Sequence, residues 1–297
     1  MARRSWLWSY LALGVTWGCS FLFIKDALGF LAPFGVAFLR CALGAATLLA
    51  VSLARRVRLP REPAVWGHLW VVGLTLNVVP GVLFALAETH VTSVIAGIVN
   101  GLTPLTTLFF IVAVFRDEPV HAHQMAGLGI GLVGVLVVLG VWRGLGGNPW
   151  WAVLALVGAV VLYGFSFPYT RRHLLGRGLS PVSMATTQLL LATVTLAPLF
   201  VVHGFNGRAA SPHALVGVVA LGTLGSGLAY VWNFSVQRAA GSAVASTVTY
   251  LTPVVAVVAG VVVLGEPLAW YEPVGGALVL FGAAVGQGRL ARYTLRS

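Results

Sequence analysis

Residues 102–134 read LTPLTTLFFIVAVFRDEPVHAHQMAGLGIGLVG, and residues 251–282 read LTPVVAVVAGVVVLGEPLAWYEPVGGALVLFG. Both open on Leu-Thr-Pro, run through apolar residues to Glu-Pro, and continue into a second apolar run spaced by glycines. Leu102-Thr103-Pro104 meets Leu251-Thr252-Pro253 at an offset of 149, and Glu118-Pro119 meets Glu266-Pro267 at 148. A repeat of so long a period sets the architecture ahead of any single element.

Composition narrows the class. The 297 residues are 59% hydrophobic and 8% charged, with mean hydropathy +0.94. A soluble domain carries about 25% charged residues, so this chain cannot clothe a soluble surface and is expected to be an integral membrane protein. Its net charge of +11 does not point to nucleic acid, because the arginines fall in short loops between apolar runs, where membrane orientation places them. Cys19 and Cys41 sit inside apolar runs and frame neither a disulfide nor a metal site. Arg3 and Arg4 before an apolar stretch resemble a signal peptide, and Gly18-Cys19 a lipoprotein site. Trp17 is wrong before that pair and no small-residue cleavage site follows, so a retained span is expected.

A bilayer core of about 30 Å takes roughly 20 apolar residues per helix. On that measure the chain divides into ten spans at about 6–24, 34–53, 66–87, 92–115, 124–142, 150–169, 182–202, 214–234, 242–264 and 270–288. With the N-terminus inside, the inner loops hold Arg3, Arg4, Arg55, Arg56, Arg58, Arg61, Arg116, Arg171, Arg172, Arg177, Arg238, Arg289, Arg292 and Arg296, against Lys25, Arg143 and Arg208 outside. That asymmetry predicts cytoplasmic termini.

The halves, 1–143 and 144–297, align further. Trp17-Gly18-Cys19-Ser20-Phe21 matches Tyr163-Gly164-Phe165-Ser166-Phe167, Lys25 matches Arg171, Pro33 matches Pro181, and Arg40 matches Gln188. Gly127 and Gly134 match Gly275 and Gly282. Five spans per half is an odd number, so the second half must enter the membrane inverted. The fold class expected is therefore an all-α polytopic membrane protein of two inverted five-helix repeats, a plan shared by many secondary transporters.

On Trp17–Phe21 with Lys25, Phe38-Leu39-Arg40, both Leu-Thr-Pro segments and both Glu-Pro turns, the chain resembles the EamA-type ten-helix transporters of the drug/metabolite transporter superfamily, over nearly its whole length. The resemblance implies a carrier of small metabolites in the inner membrane, amino acids among them, with a cavity between spans one, three, four, six, eight and nine.

Charge within a span suggests function, and only Arg40 lies clearly inside one. The seven carboxylates (Asp26, Glu62, Glu88, Asp117, Glu118, Glu266, Glu272) and the seven histidines fall at span ends or in loops. The related small multidrug resistance proteins use a glutamate in the first span, where this chain has Trp17, Cys19 and Ser20. A proton-driven drug exporter is therefore the weaker alternative, a lipid-handling protein another, and facilitated transport or exchange is expected. Arg40 has two readings: it attracts a substrate carboxylate, or it snorkels to headgroups and bonds helix carbonyls.

The remaining substrate-contact candidates are Trp17, Ser20, Asn77, Asn100, Thr103, Tyr163, Ser166, Tyr230, Trp232, Asn233, Thr247 and Tyr250. Asn100 and Thr249 are repeat equivalents, as are Trp17 and Tyr163. This uncharged, aromatic set suits a neutral or zwitterionic solute with an apolar part, and each member doubles as interhelical glue. Pro104 and Pro253 sit mid-span, where a proline makes either a bending point for alternating access or a static kink. Trp6, Trp66, Trp142, Trp150, Trp151 and Trp270 read as interfacial anchors. Gly127-x-x-x-Gly131 and Gly282-x-x-x-Gly286 permit close helix approach, within one chain or in a homodimer. Both Glu-Pro turns are expected to cap the helix that follows. An enzyme needs converging acid, base or metal groups, and His121-x-His123 in a loop supplies none. No cofactor or metal is expected; the partners are a small solute and the bilayer, and the chain acts as a monomer or homodimer.

Overall fold

The computed structural model describes residues 5–116, 122–138, 140–143 and 147–286. Asp117, the Glu118-Pro119 turn, His121 and the arginines at positions 3, 4, 289, 292 and 296 lie outside the described residues.

Among those residues the regular structure is helical apart from one bridge, Leu31 to Phe205. In order come α1 (Ser5–Ala27), α2 (Pro33–Ala54), α3 (Pro63–Gly73), α4 (Val79–Glu88), α5 (Ser93–Asn100), α6 (Thr103–Phe110), α7 (Ala122–Val138), α8 (Trp150–His173), α9 (Pro181–His203), α10 (Pro212–Ala220), α11 (Ala229–Ser246), α12 (Leu251–Leu264) and α13 (Tyr271–Gly286). Local chemistry sets the starts. Pro33, Pro63, Pro181 and Pro212 each open a helix, where the missing N–H costs nothing. Thr92, Ser180 and Ser211 accept from the backbone N–H three residues on.

Among the described residues, eight helical stretches are long and apolar enough to cross a membrane. One of them, Pro212–Leu264, is 53 residues long and runs through the two expected spans 214–234 and 242–264. Gly241 breaks it at φ 85° and ψ 171°, a backbone conformation essentially reserved for glycine. α13 runs to Gly286, the last described residue.

Among the described residues three helices widen to π-helical turns: Leu74–Val78 joins α3 to α4, Ile111–Phe115 ends α6, and Leu221–Leu228 joins α10 to α11. The first and last hold repeat-equivalent positions, and the halves exchange polar contacts there. Arg40 Nε on α2 donates to Ser226 Oγ at 3.1 Å, while Gln188 Nε2 on α9 donates to Asn77 Oδ1. Arg40 and Gln188 are equivalents, and Asn77 and Ser226 stand 149 residues apart. The same contact is therefore made twice, each time from one half into the widened turn of the other.

The glycine runs work inside the chain. α7 lies along α13, and a Cβ on Gly134 would stand 2.7 Å from the Val279 nitrogen and 2.8 Å from the Gly275 oxygen, both backbone atoms that cannot yield. Gly282 meets Gly131 and Gly127 in the same way. Gly134→Ala is expected to lower stability by about 1–2 kcal/mol through overpacking, read as a lower melting temperature in detergent; an unchanged melting curve would contradict so close an approach.

One expectation is corrected. Glu266 does not cap the helix that follows it. Its carboxylate accepts from Ser93 N at 3.0 Å, Ser93 Oγ at 2.7 Å and Val94 N at 3.3 Å, capping α5 in the other half. The left-handed Gly265, at φ 64°, turns the chain toward α5, and the N–H groups of Ser93 and Val94, which have no partner within that helix, attract the negative charge. The following helix is served by Glu272, which accepts from Ala269 N at 3.0 Å.

Candidate functional site

A cavity with about 490 Å3 of atom-free space opens in the middle of the bundle, between elements of both halves. Its polar wall is Ser20, Arg40, Asn100, Thr103 and Thr249, and its aromatic wall is Trp17, Phe21, Phe84, Tyr163, Phe167 and Tyr230, completed by Ile24 and Leu76.

Helical spacing builds the wall. Positions 17, 20, 21 and 24 stand at i, i+3, i+4 and i+7, one face of α1. Positions 163 and 167 repeat the first step on α8, so Trp17 faces the cavity with Tyr163, and Phe21 with Phe167. The rings touch one another: Trp17 meets Tyr230 edge-on at 5.9 Å, Phe84 stacks on Tyr163 at 5.7 Å, and Phe21 lies 5.4 Å from Phe84.

Prolines shape the backbone behind the wall. Pro80 has no N–H to offer the Leu76 carbonyl one turn back, and the Tyr230 hydroxyl donates to that oxygen at 3.0 Å. Pro104 likewise strands the Asn100 carbonyl, which accepts from Thr103 Oγ1 at 2.8 Å. Pro253 strands the Thr249 carbonyl, which accepts from Thr252 Oγ1 at 2.8 Å. The two Leu-Thr-Pro segments thus solve one problem identically, the threonine mending what the proline removes. Asn100 Nδ2 then donates to Thr252 Oγ1 at 3.1 Å, tying the two breaks together. These breaks separate α5 from α6 and convert residues 247–250 to a 3₁₀ turn before α12.

Of the residues named from sequence, the structure brings Trp17, Ser20, Asn100, Thr103, Tyr163, Tyr230 and Arg40 to the cavity. Asn77 is buried behind it, against Gln188, and Ser166 is paired with Thr75. Thr247 shares a hydrogen bond with Tyr10 at 2.9 Å, and Trp232 packs beside Leu13 and Val248. Tyr250 joins the apolar cluster around α5. Asn233 is fully buried with neither amide atom bonded.

Phe21, Ile24, Leu76, Phe84, Phe167 and Thr249 line the cavity without having been named as contacts. For Phe21 and Phe167 the signal was present: they follow Trp17 and Tyr163 by one turn in matching motifs. Nothing local marks Leu76 or Phe84, because Leu76 lies inside a widened turn and Phe84 follows it, where the helical phase has been reset.

Arg40 does not snorkel and its Nε does not seek a helix carbonyl. It is 5% exposed, turned inward, and brings the one charged side chain to a wall otherwise of rings, aliphatic chains, hydroxyls and an amide. The widened turn at Leu221–Leu228 presents Ser226 to it and so holds it there.

Two end regions close the bundle. At one, Lys25 Nζ donates to the carbonyls of Glu88 at 2.7 Å and Val91 at 2.9 Å, near the Glu266 cap. At the other, Arg177 pairs with Glu62 at 3.0 Å, Ser183 donates to the Arg58 carbonyl and Arg238 to that of Leu179. Glu88 departs from its expected surroundings. It does stand at a span end, yet it is 0% exposed and neither carboxylate oxygen has a partner.

A model of the EamA-like transporter family matches residues 4–140 and again 150–285. A protein of Escherichia coli (strain K12) named "Uncharacterized inner membrane transporter YedA" is 30% identical over 281 residues, 92% of this chain and 88% of its own. The "Probable terminal-alkyne amino-acid exporter" of Streptantibioticus cattleyicolor is 30% identical over 285 residues, 93% of this chain and 91% of its own. A solved crystal structure at 24% identity superposes with a TM-score of 0.72 over 98% of this chain and 99% of that one, showing the same fold.

Proposed function

The chain belongs to the EamA-like transporter family, and from that premise we propose that it carries small amino acids or similar zwitterions across the inner membrane by facilitated exchange or uniport. It does so with ten crossings in two inverted halves, 1–143 and 144–297, and performs no bond chemistry on its solute. The end bearing Arg58, Arg177 and Arg238 is cytoplasmic with both termini, and the end bearing Lys25, Glu88 and Glu266 faces outward, as the arginine bias requires.

One observation carries the solute class: a single cation, Arg40, set in a cavity of aromatic rings. A guanidinium binds a carboxylate with paired, charge-assisted hydrogen bonds. The rings of Trp17, Phe21, Phe84, Tyr163, Phe167 and Tyr230 receive an apolar side chain, and their faces also attract an ammonium group. Asn100 and Thr103 of one half and Thr249 of the other complete the polar lining. Pro104 and Pro253, at equivalent breaks joined by the Asn100–Thr252 bond, are where the two halves bend between outward and inward states. The amino-acid exporter among the relatives supports this solute class.

Counterflow in proteoliposomes, with a labelled panel of neutral amino acids and with or without an imposed pH gradient, tests the reading. The expected result is saturable exchange of one aliphatic or aromatic amino acid, with the same final accumulation in both conditions. No exchange of any member overturns the solute class; accumulation that follows the gradient overturns facilitated exchange.

A further inference from the structure

Repeat equivalence reaches the two ends of the pathway. Glu88 and Gln237 stand 149 residues apart, like Asn100 and Thr249. Both are sealed from solvent, at 0% and 1% exposure, and neither has a hydrogen bond on any side-chain polar atom. Each continues the cavity toward one end. Phe84 lines the cavity and Glu88 follows one turn later on the same face of α4; Tyr230 lines it and Gln237 follows two turns later on the same face of α11. Equivalent basic residues stand near the ends of the same two helices. Lys25 closes the carbonyl end of α4, and Arg171 places its guanidinium beside Gly241, where α11 breaks. The two ends are shut by one device, built once with a carboxyl and once with an amide.

The difference between those groups is a proton. An ionised carboxylate shut away from water without a hydrogen-bond partner is strongly penalised, and the neutral acid far less so. The titratable groups whose field reaches Glu88 are Lys25 from α1, Arg40 from α2, Tyr163 from α8 and Glu266 from the turn after α12. On the segment that follows it lie His90, whose ring packs on Trp151 of α8, and Ser93 at the start of α5. Neither Lys25 nor Arg40 bonds the carboxylate in the closed arrangement. Ionisation therefore favours a state in which the side chain meets water, and that movement parts α4 from its neighbours.

We propose that Glu88 is a proton-binding site that holds the outer end of the pathway closed when protonated and releases it when ionised. Gln237 closes the inner end with no such sensitivity. The proton is taken from and returned to the outer compartment, so none crosses per cycle; the gate sets the rate of opening and leaves exchange uncoupled. The inference rests on the transport pathway proposed above, but its test uses no solute and so fails or stands separately from the counterflow result.

With Cys19→Ser and Cys41→Ser, a single reporter Ile24→Cys is placed in the cavity wall. Intact cells expressing the chain are treated with a membrane-impermeant maleimide from about pH 5.5 to 8, each rate divided by that of the same protein carrying Glu88→Gln. The division removes the thiol's own pH dependence. The ratio is expected to climb about fivefold or more with pH, a population shift toward the open state, and Glu88→Asp is expected to climb likewise. A flat ratio overturns the gate. Should Glu88→Gln not fold, the unsubstituted protein is treated with dicyclohexylcarbodiimide, which adds a protonated carboxyl across one C=N bond and rearranges to an N-acylurea with nothing leaving. Peptide mass analysis is expected to find the adduct on Glu88 at low pH and to lose it as pH rises. No adduct at any pH, or one indifferent to pH, overturns the proposal.

Discussion

Replacing Arg40 by glutamine is expected to raise the solute concentration for half-maximal counterflow about 100-fold, a loss of about 3 kcal/mol in binding. The size follows from what remains. The substrate carboxylate would enter a cavity with no other charged lining residue, and a charge left unpaired out of water costs more than a lost neutral hydrogen bond. Glutamine still reaches Ser226, so the fold is expected to persist, with unchanged elution from a sizing column. Arg40→Lys keeps the charge but loses the planar fork and the Nε bond, and is expected to fall between. Equal half-saturation in all three proteins would remove Arg40 from solute binding and leave it as a tie between α2 and the widened turn.

Glu266→Ala is the largest stability change expected, about 2–3 kcal/mol, because three donors at the start of α5 lose a charged acceptor together. At this chain length that corresponds to several degrees in the melting temperature. The consequence extends to the cavity, since α5 ends at Asn100, which lines it and bonds Thr252. Glu266→Gln, which still accepts hydrogen bonds, is expected to lose less. A melting temperature equal to the parent's for both variants would mean that water caps α5 as well as the carboxylate does.

Several residues were legible because their physics is local. Leu-Thr-Pro announces a broken helix twice: proline removes a donor wherever it sits, and the adjoining threonine is within reach of the stranded carbonyl. The spacing from Trp17 to Phe21 and from Tyr163 to Phe167 is a helical turn in any context. The glycines of α7 and α13 advertised a close approach, although whether within one chain or between two was a tertiary matter. Glu266 shows where reading stops. Glu-Pro after an apolar run looks like a turn that serves the next helix, but the nearest needy donors belonged to α5, 173 residues earlier.

Low charge, hydropathy and the repeat by themselves determined a helical membrane protein in two related halves, because lipid allows few solutions for a backbone and repetition allows fewer. The tertiary structure decided what no single segment contains: that Arg40 turns inward because the other half offers it Ser226, and that Glu88, at a span end where water was expected, is sealed without a partner. Burial is a property of what packs against a residue, and its neighbours here come from helices far apart in the chain.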